Sequence, residues 1–131
     1  APQELENQLK VLSSKISQAL VHGNRRNFCT ALITLDEEAA QKWAVDNDHG
    51  KLSYSQLSTH PDLIAEIQTA VDALNKTRAS YETIKNFSLL PADFAVETGE
   101  LTPSMKVRRK VVEEKYMHVL DSFYQGAIEH L

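Results

Sequence analysis

The chain has 131 residues, 42% hydrophobic and 24% charged, a globular composition with enough length to bury a core. Its net charge of −4 argues against a general nucleic-acid binder, which is usually basic, and no apolar run approaches the roughly 18 residues of a membrane span. The single cysteine, Cys29, excludes an internal disulfide and fits a reducing compartment, and the polar, acidic start APQELENQLK is no secretory signal.

Pro2 suits the first turn of a helix, and Leu5, Leu9 and Leu12 follow at helical spacing, which predicts a helix from about Pro2 to Ser13. Only Ala1 precedes it, so no capping segment is present and the chain is expected to begin inside a larger unit. ISQALVHG, Ile16 to Gly23, and FCTALITL, Phe28 to Leu35, read as strands. In the second, Cys29, Ala31, Ile33 and Leu35 alternate with Thr30 and Thr34. Gly23-Asn24-Arg25-Arg26-Asn27 between them has hairpin length and turn chemistry. Asp36 can cap a helix through Glu37, Glu38, Ala39, Ala40, Trp43 and Ala44, which Asp46 to Gly50 ends. A short helix is placed near Tyr54 to Leu57. Pro61 opens a long one with Ile64, Ile67, Val71, Leu74, Arg78 and Tyr81 as its inward stripe. KNFSLLP, Lys85 to Pro91, predicts a strand, and Phe94 to Thr98 a second short one. The last helix begins near Arg108 and carries Val112, Tyr116, Val119, Leu120 and Phe123 on one face. The order α-β-β-α-α-β-β-α predicts an α+β fold, a small and mostly antiparallel sheet flanked by helices, in one domain over residues 1–131.

The stretch ELTPSMKVRRK, Glu100 to Lys110, concentrates the chemistry. An isolated lysine is ordinarily a solvated surface residue. Here Gly99 supplies a turn, Pro103 stiffens the loop, and Met105 and Val107 flank Lys106, so the lysine projects from a braced loop. A fixed ammonium of this kind suits a phosphate or a carboxylate. Arg108, Arg109 and Lys110 oppose the dipole of the helix they open, and Glu113 and Glu114 lie within pairing reach of them. Arg25 and Arg26 form a second basic site, but no aromatics interleave with either cluster as in a platform for single-stranded nucleic acid. The histidines, His22, His49, His60, His118 and His130, show no close pairing in sequence and no cysteine cluster joins them, so no metal site is expected. There is no glycine-rich phosphate loop and no nucleophile elbow, and Asp93, Glu97 and Glu100 have no inferable partner. These residues do not compose a complete enzyme. A stand-alone α+β interaction module, using its basic loops on an acidic partner, stays open.

KNFSLLP together with TGELTPSMKVRRKVVEEKY, Thr98 to Tyr116, resembles the end of the long-chain fatty-acid–CoA ligases, AMP-forming acyl-CoA synthetases of the adenylate-forming superfamily. APQELE resembles the helix entry after that family's hinge, and QALVHGNRRNFCTALITLD, Gln18 to Asp36, its strand pair. The resemblance covers nearly the whole chain and implies the small C-terminal lid domain of such a ligase. A large N-terminal domain of the same chain is then the main partner. That domain is expected to bind most of ATP and magnesium and to select the fatty acid, with coenzyme A as co-substrate. The implied reaction joins fatty acid and ATP into an acyl-adenylate, then passes the acyl group to coenzyme A as the lid changes the face it presents. Lys106 matches the family's adenylation lysine. The residue before it is Met105, as in the long-chain branch, where the wider superfamily usually has glycine. Arg25 and Arg26 are candidates for the phosphates of coenzyme A. A cytoplasmic location, with peripheral membrane association of the full enzyme, is also implied, and no nucleic-acid partner. A ligase acting on another carboxylate, or passing its acyl group to a carrier protein, is the alternative within the superfamily.

Overall fold

The structure is a computed structural model that describes residues 2–23 and 28–125. Backbone packing divides the chain into two compact units, one ending at Asp93 and the other starting at Phe94. The predicted connection Gly23–Asn27, with Arg25 and Arg26, falls mostly outside the described residues, as does His130.

In the first unit, helix α1 (Pro2–Leu12) turns Leu5 and Leu9 inward and lies against strand β1 (Ile16–His22) and helix α4 (Pro61–Asn75). Glu4 near its start and Lys10 near its end suit the helix dipole. β1 pairs antiparallel with β2 (Cys29–Leu35), with Ala19 opposite Ile33 and Val21 opposite Ala31. The register shifts between Ile16 and Gln18, and the Thr34 hydroxyl there accepts the Gln18 N–H at 3.0 Å. β2 is the middle strand, so both of its edges are paired, and Thr30 and Thr34 on one face are as fully buried as Ala31, Ile33 and Leu35 on the other.

Asp36 caps helix α2 (Glu37–Asp46) by accepting the Ala39 N–H at 2.9 Å, and the helix buries Ala40, Trp43 and Ala44. Ser53 and Gln56 close a capping box on the short helix α3 (Tyr54–Ser58). α4 is capped by His60 and buries Leu63, Ile67, Ala70, Val71 and Leu74. Each large apolar side chain sealed in this core contributes about 1.5–3 kcal/mol relative to exposure. The inward stripe therefore stops short of its predicted end. Arg78 and Tyr81 lie beyond the helix, Tyr81 exposed and Arg78 paired with Glu4 at 3.1 Å and Glu82 at 3.7 Å. The helix ends at Asn75, whose amide exchanges two hydrogen bonds of 2.9 Å with the backbone of Ile84 and so seats the next strand.

That strand, β3 (Ile84–Leu89), pairs with β2 in parallel, with Ala31 beside Phe87 and Ile33 beside Leu89. The three-stranded sheet, in order β1-β2-β3, is thus mixed, where a mostly antiparallel one is expected from the sequence. The cause is the long helical connection. A crossover through α2, α3 and α4 returns the chain to the same end of the sheet, which a hairpin cannot do. The Tyr54 hydroxyl closes the far end of β2, accepting the Leu35 N–H and donating to the Leu35 carbonyl, both at 2.8 Å. Burial is the largest of the causes that hold the Tyr54 phenol well above its ordinary pKa.

The α+β class and the predicted order both hold, with two refinements in the second unit. Phe94 to Thr98 is a folded-back turn, because the Ala95 carbonyl accepts the N–H groups of both Glu100 and Leu101. The β character at this place in the order falls instead on an antiparallel bridge between Leu101 and Val107. The last helix is divided at Tyr116 into α5 (Arg109–Lys115) and α6 (Met117–Ser122). Among the described residues no helix is long and apolar enough to cross a membrane.

Candidate functional site

In the second unit a tight hairpin runs from Glu100 to Arg108, and Lys106 sits on it. Its rungs are the Arg108 N–H donating to the Glu100 carbonyl at 2.8 Å, the bridge of Leu101 with Val107, and the Thr102 N–H donating to the Lys106 carbonyl at 2.8 Å. At the tip, the Met105 N–H donates to the Thr102 carbonyl at 2.8 Å, closing a turn with Pro103 in its second position, where proline's fixed φ is an advantage. The Thr102 hydroxyl accepts the Lys106 N–H at 3.1 Å and lies 3.0 Å from the Ser104 hydroxyl. Both backbone groups of Lys106 are therefore pinned by one residue, Thr102. The Lys106 side chain is exposed, and among the described residues its ammonium has no hydrogen bond or ion pair.

Two residues of this segment take the left-handed conformation. Gly99 has φ 79°, which glycine adopts without strain. Met105 has φ 66°, a conformation that costs a residue with a Cβ about 1–2 kcal/mol. A hairpin loop of this length needs a left-handed residue at its last position, and glycine is the usual solution. Met105 is also 58% exposed, so it is not the side-chain brace its place in the sequence implies, and the loop is braced by its own backbone and Thr102. Met105→Gly is accordingly expected to stabilise the chain by about 0.5–1 kcal/mol, strain relief less the added freedom of glycine when unfolded. The urea midpoint checks this. A lower midpoint would mean that the thioether packs more than its exposure indicates.

Beneath the hairpin lies a buried carboxylate. Glu100 is 2% exposed. Its Oε1 accepts from the Ala95 N–H at 3.3 Å and, by a shorter bond, from the Thr98 hydroxyl, and its Oε2 accepts from Lys115 Nζ at 3.0 Å. Lys115 reaches it from the last turn of α5 and also lies 5.6 Å from the centre of the Tyr116 ring. The hydrogen bond to Glu100 raises the Lys115 pKa above its ordinary value. Glu100 thus ties the turn before the hairpin to the helix after it. Its partner Lys115 is fifteen positions away, beyond any local spacing rule, so the sequence gives this carboxylate no visible partner. Arg109 and Glu113 both have partners, while Arg108 and Lys110 are exposed.

The other candidates are dispersed. His22 ends β1, and His118 is exposed on α6. His49 and His60, unpaired in sequence, come together in the first unit beside Asp62. This is the one cluster among the described residues with metal-binding potential.

Comparison with known proteins gives this hairpin a context. Over 125 residues, 95% of the chain, it is 46% identical to a long-chain-fatty-acid–CoA ligase of Mycobacterium tuberculosis, and it spans 21% of that protein. It is 32% identical over 143 aligned residues to a long-chain-fatty-acid–CoA ligase of Gallus gallus, covering 96% of this chain and 19% of that protein. The chain therefore spans about a fifth of the length of these curated relatives. Among solved structures, the adenylation domain of a carboxylate reductase from Mycobacterium chelonae superposes with a TM-score of 0.68 at 26% identity, over 93% of this chain and 17% of that one. Residues 1–127, which take in both the sheet and the Lys106 hairpin, match the family described as the AMP-binding enzyme C-terminal domain, and the chain belongs to that family.

Proposed function

We propose that the chain is the C-terminal lid domain of an ATP-dependent, AMP-forming long-chain fatty-acyl-CoA ligase, and that Lys106 serves its adenylation step. The observation that carries this reading is an unpartnered ammonium on a hairpin that holds both backbone groups of its lysine. The identity with long-chain ligases over 95% of the chain supports it.

In the adenylation step a fatty-acid carboxylate oxygen attacks the α-phosphorus of ATP, and the bond to pyrophosphate breaks. Two anions must meet, and the phosphate oxygens gain charge as they do. An ammonium held between them offsets the repulsion, and lysine's compact charge suits the task better than the broad guanidinium of arginine. A preorganised donor of this kind in a dry site is worth about 3–4 kcal/mol. In the second step the coenzyme A thiol, losing its proton, attacks the acyl carbon and AMP departs. ATP, magnesium and the fatty acid fall mainly to the large N-terminal domain. Movement of the lid between the steps separates them.

The experiment is direct. The full-length protein, given ATP, magnesium, coenzyme A and a long-chain fatty acid, is expected to form AMP, pyrophosphate and acyl-CoA in equal amounts. Absence of AMP formation with fatty acids, but formation with another carboxylate or with a carrier-protein acceptor, would favour the alternative within the superfamily. Arg25 and Arg26 are proposed to meet the phosphates of coenzyme A. The double variant Arg25→Ala, Arg26→Ala is expected to raise the KM for coenzyme A several-fold and leave that for ATP unchanged. An unchanged KM for coenzyme A removes the assignment. A cytoplasmic enzyme touching the membrane peripherally is consistent with a fatty-acid substrate.

A further inference from the structure

We propose that His49, His60 and Asp62 form a binding site for a divalent transition-metal ion, zinc or copper(II), in the first unit. The ligand atoms of the three side chains lie within 4.8 Å of one another. The two imidazole rings have their centres 4.3 Å apart. This pairing follows from how the chain ends one helix and begins another. The His49 N–H donates to the Ala44 carbonyl at 2.6 Å, which wraps the chain over the end of α2. His60 is held as the cap of α4 by the Ile64 N–H on its carbonyl at 3.0 Å, with Pro61 fixing the next turn. Trp43 underlies both rings, stacked with His49 at 5.8 Å and edge-on to His60 at 5.4 Å. Packing on Trp43 accounts for the two rings. It does not call for a carboxylate to converge on them.

The donor set is two imidazoles and one carboxylate, which suits borderline ions and leaves coordination positions for water. Ligand atoms on a common zinc ion at about 2.0–2.2 Å lie within about 4.4 Å of one another, close to the spacing of this trio, and the exposed Asp62 side chain can adjust to it. His60 Nδ1 accepts the Asp62 N–H at 3.1 Å in the metal-free state. Ligation through either ring nitrogen displaces that bond, because the second nitrogen must then carry the proton or the first must face the metal. One capping hydrogen bond is exchanged for a metal bond. His49 also lines an open hollow with Val45, Asp48, Gly50, Lys51 and Leu52, which opens its side of the site to solvent. The proposal is independent of the ligase reading.

Trp43 is the only tryptophan of the chain and touches both rings, so it reports on the site. Untagged 131-residue protein, titrated with copper(II), is expected to show saturable quenching of its tryptophan fluorescence with one ion per chain. Zinc is expected to compete for the same site. His49→Gln and His60→Asn, the latter keeping a capping side chain, are each expected to weaken binding at least tenfold, and His118→Gln on α6 to leave it unchanged. Should a histidine variant fail to fold, Asp62→Asn on the exposed surface serves in its place, with a several-fold loss expected. Quenching that does not saturate, or that saturates at the same concentration in the site variants as in the parent, overturns the proposal and leaves packing on Trp43 as the role of both rings.

Discussion

Lys106→Ala in the full-length protein is expected to slow acyl-adenylate formation by about a hundred- to thousandfold, the effect of losing one preorganised donor to a developing anion. Thioester formation from supplied acyl-adenylate is expected to fall less than threefold. The two half-reactions are measured separately, by fatty-acid-dependent pyrophosphate exchange and by acyl-CoA release from synthetic acyl-adenylate. The hairpin predicts that the loss is chemical rather than structural. Every hydrogen bond that positions Lys106 uses its backbone, and alanine keeps both groups. The isolated chain should therefore unfold at the same urea concentration with and without the substitution. Lys106→Arg tests geometry against charge: it keeps the charge and is expected to recover only a small part of the rate. Equal loss in both half-reactions would remove the division of labour.

Glu100→Ala is expected to destabilise the chain by about 2–3 kcal/mol, read from denaturant unfolding, and to lower the adenylation rate through a loosened hairpin. The alanine leaves the Ala95 N–H without its acceptor and cuts the tie to α5, while the Thr98 hydroxyl keeps the Ala95 carbonyl at 3.1 Å. Lys115 is 46% exposed and can turn to water, so no buried charge is stranded and the cost stays below that of breaking a fully buried pair. Glu100→Gln is a finer probe. Its oxygen can still accept from Ala95 and Thr98, but its amide then faces Lys115 Nζ, donor against donor. Adding Lys115→Gln restores an acceptor, and the double variant is expected to recover part of both stability and adenylation rate. A residue that matters only by its bulk would show no such rescue. The lysine side of this pair keeps its charge across ordinary assay conditions. A lysine whose pKa is raised on folding adds stability below its unfolded value and loses it only as the pH climbs through the raised one, here above the ordinary lysine range.

What the sequence made legible was local. Leu5 and Leu9 of α1, the alternation in β2, the Asp36 cap and the proline-led start of α4 each declare themselves within one or two turns of chain, and each is found in place. The same holds for Lys106 on a stiffened loop, since Gly99, Pro103 and Thr102 are its immediate neighbours. What stayed hidden depends on distant partners. The parallel placing of β3 is decided by the length and path of the helices before it, and residues such as Lys85 or Phe87 carry no mark of strand direction. Glu100 looked idle because Lys115 is on the next helix, and His49 looked isolated because His60 reaches it only once α2 and α4 have packed. Arg78 and Tyr81 continue the apolar period by spacing alone, and the Asn75 amide overrules them by ending the helix. The role proposed for Lys106 comes from the family resemblance. Nothing in spacing or composition could have supplied it.

The hairpin and the sheet also differ in when they can form. All rungs of the Glu100–Arg108 hairpin join residues no more than eight positions apart, so the loop can close in about 1–10 μs, the time typical of an isolated hairpin. The β2–β3 ladder joins residues more than fifty positions apart and must wait for three helices to order between them. The lysine is thus mounted on a part of the chain whose hydrogen bonds need no distant partner during assembly. A refolding chain is expected to regain the shape of its Lys106 loop before it regains its sheet.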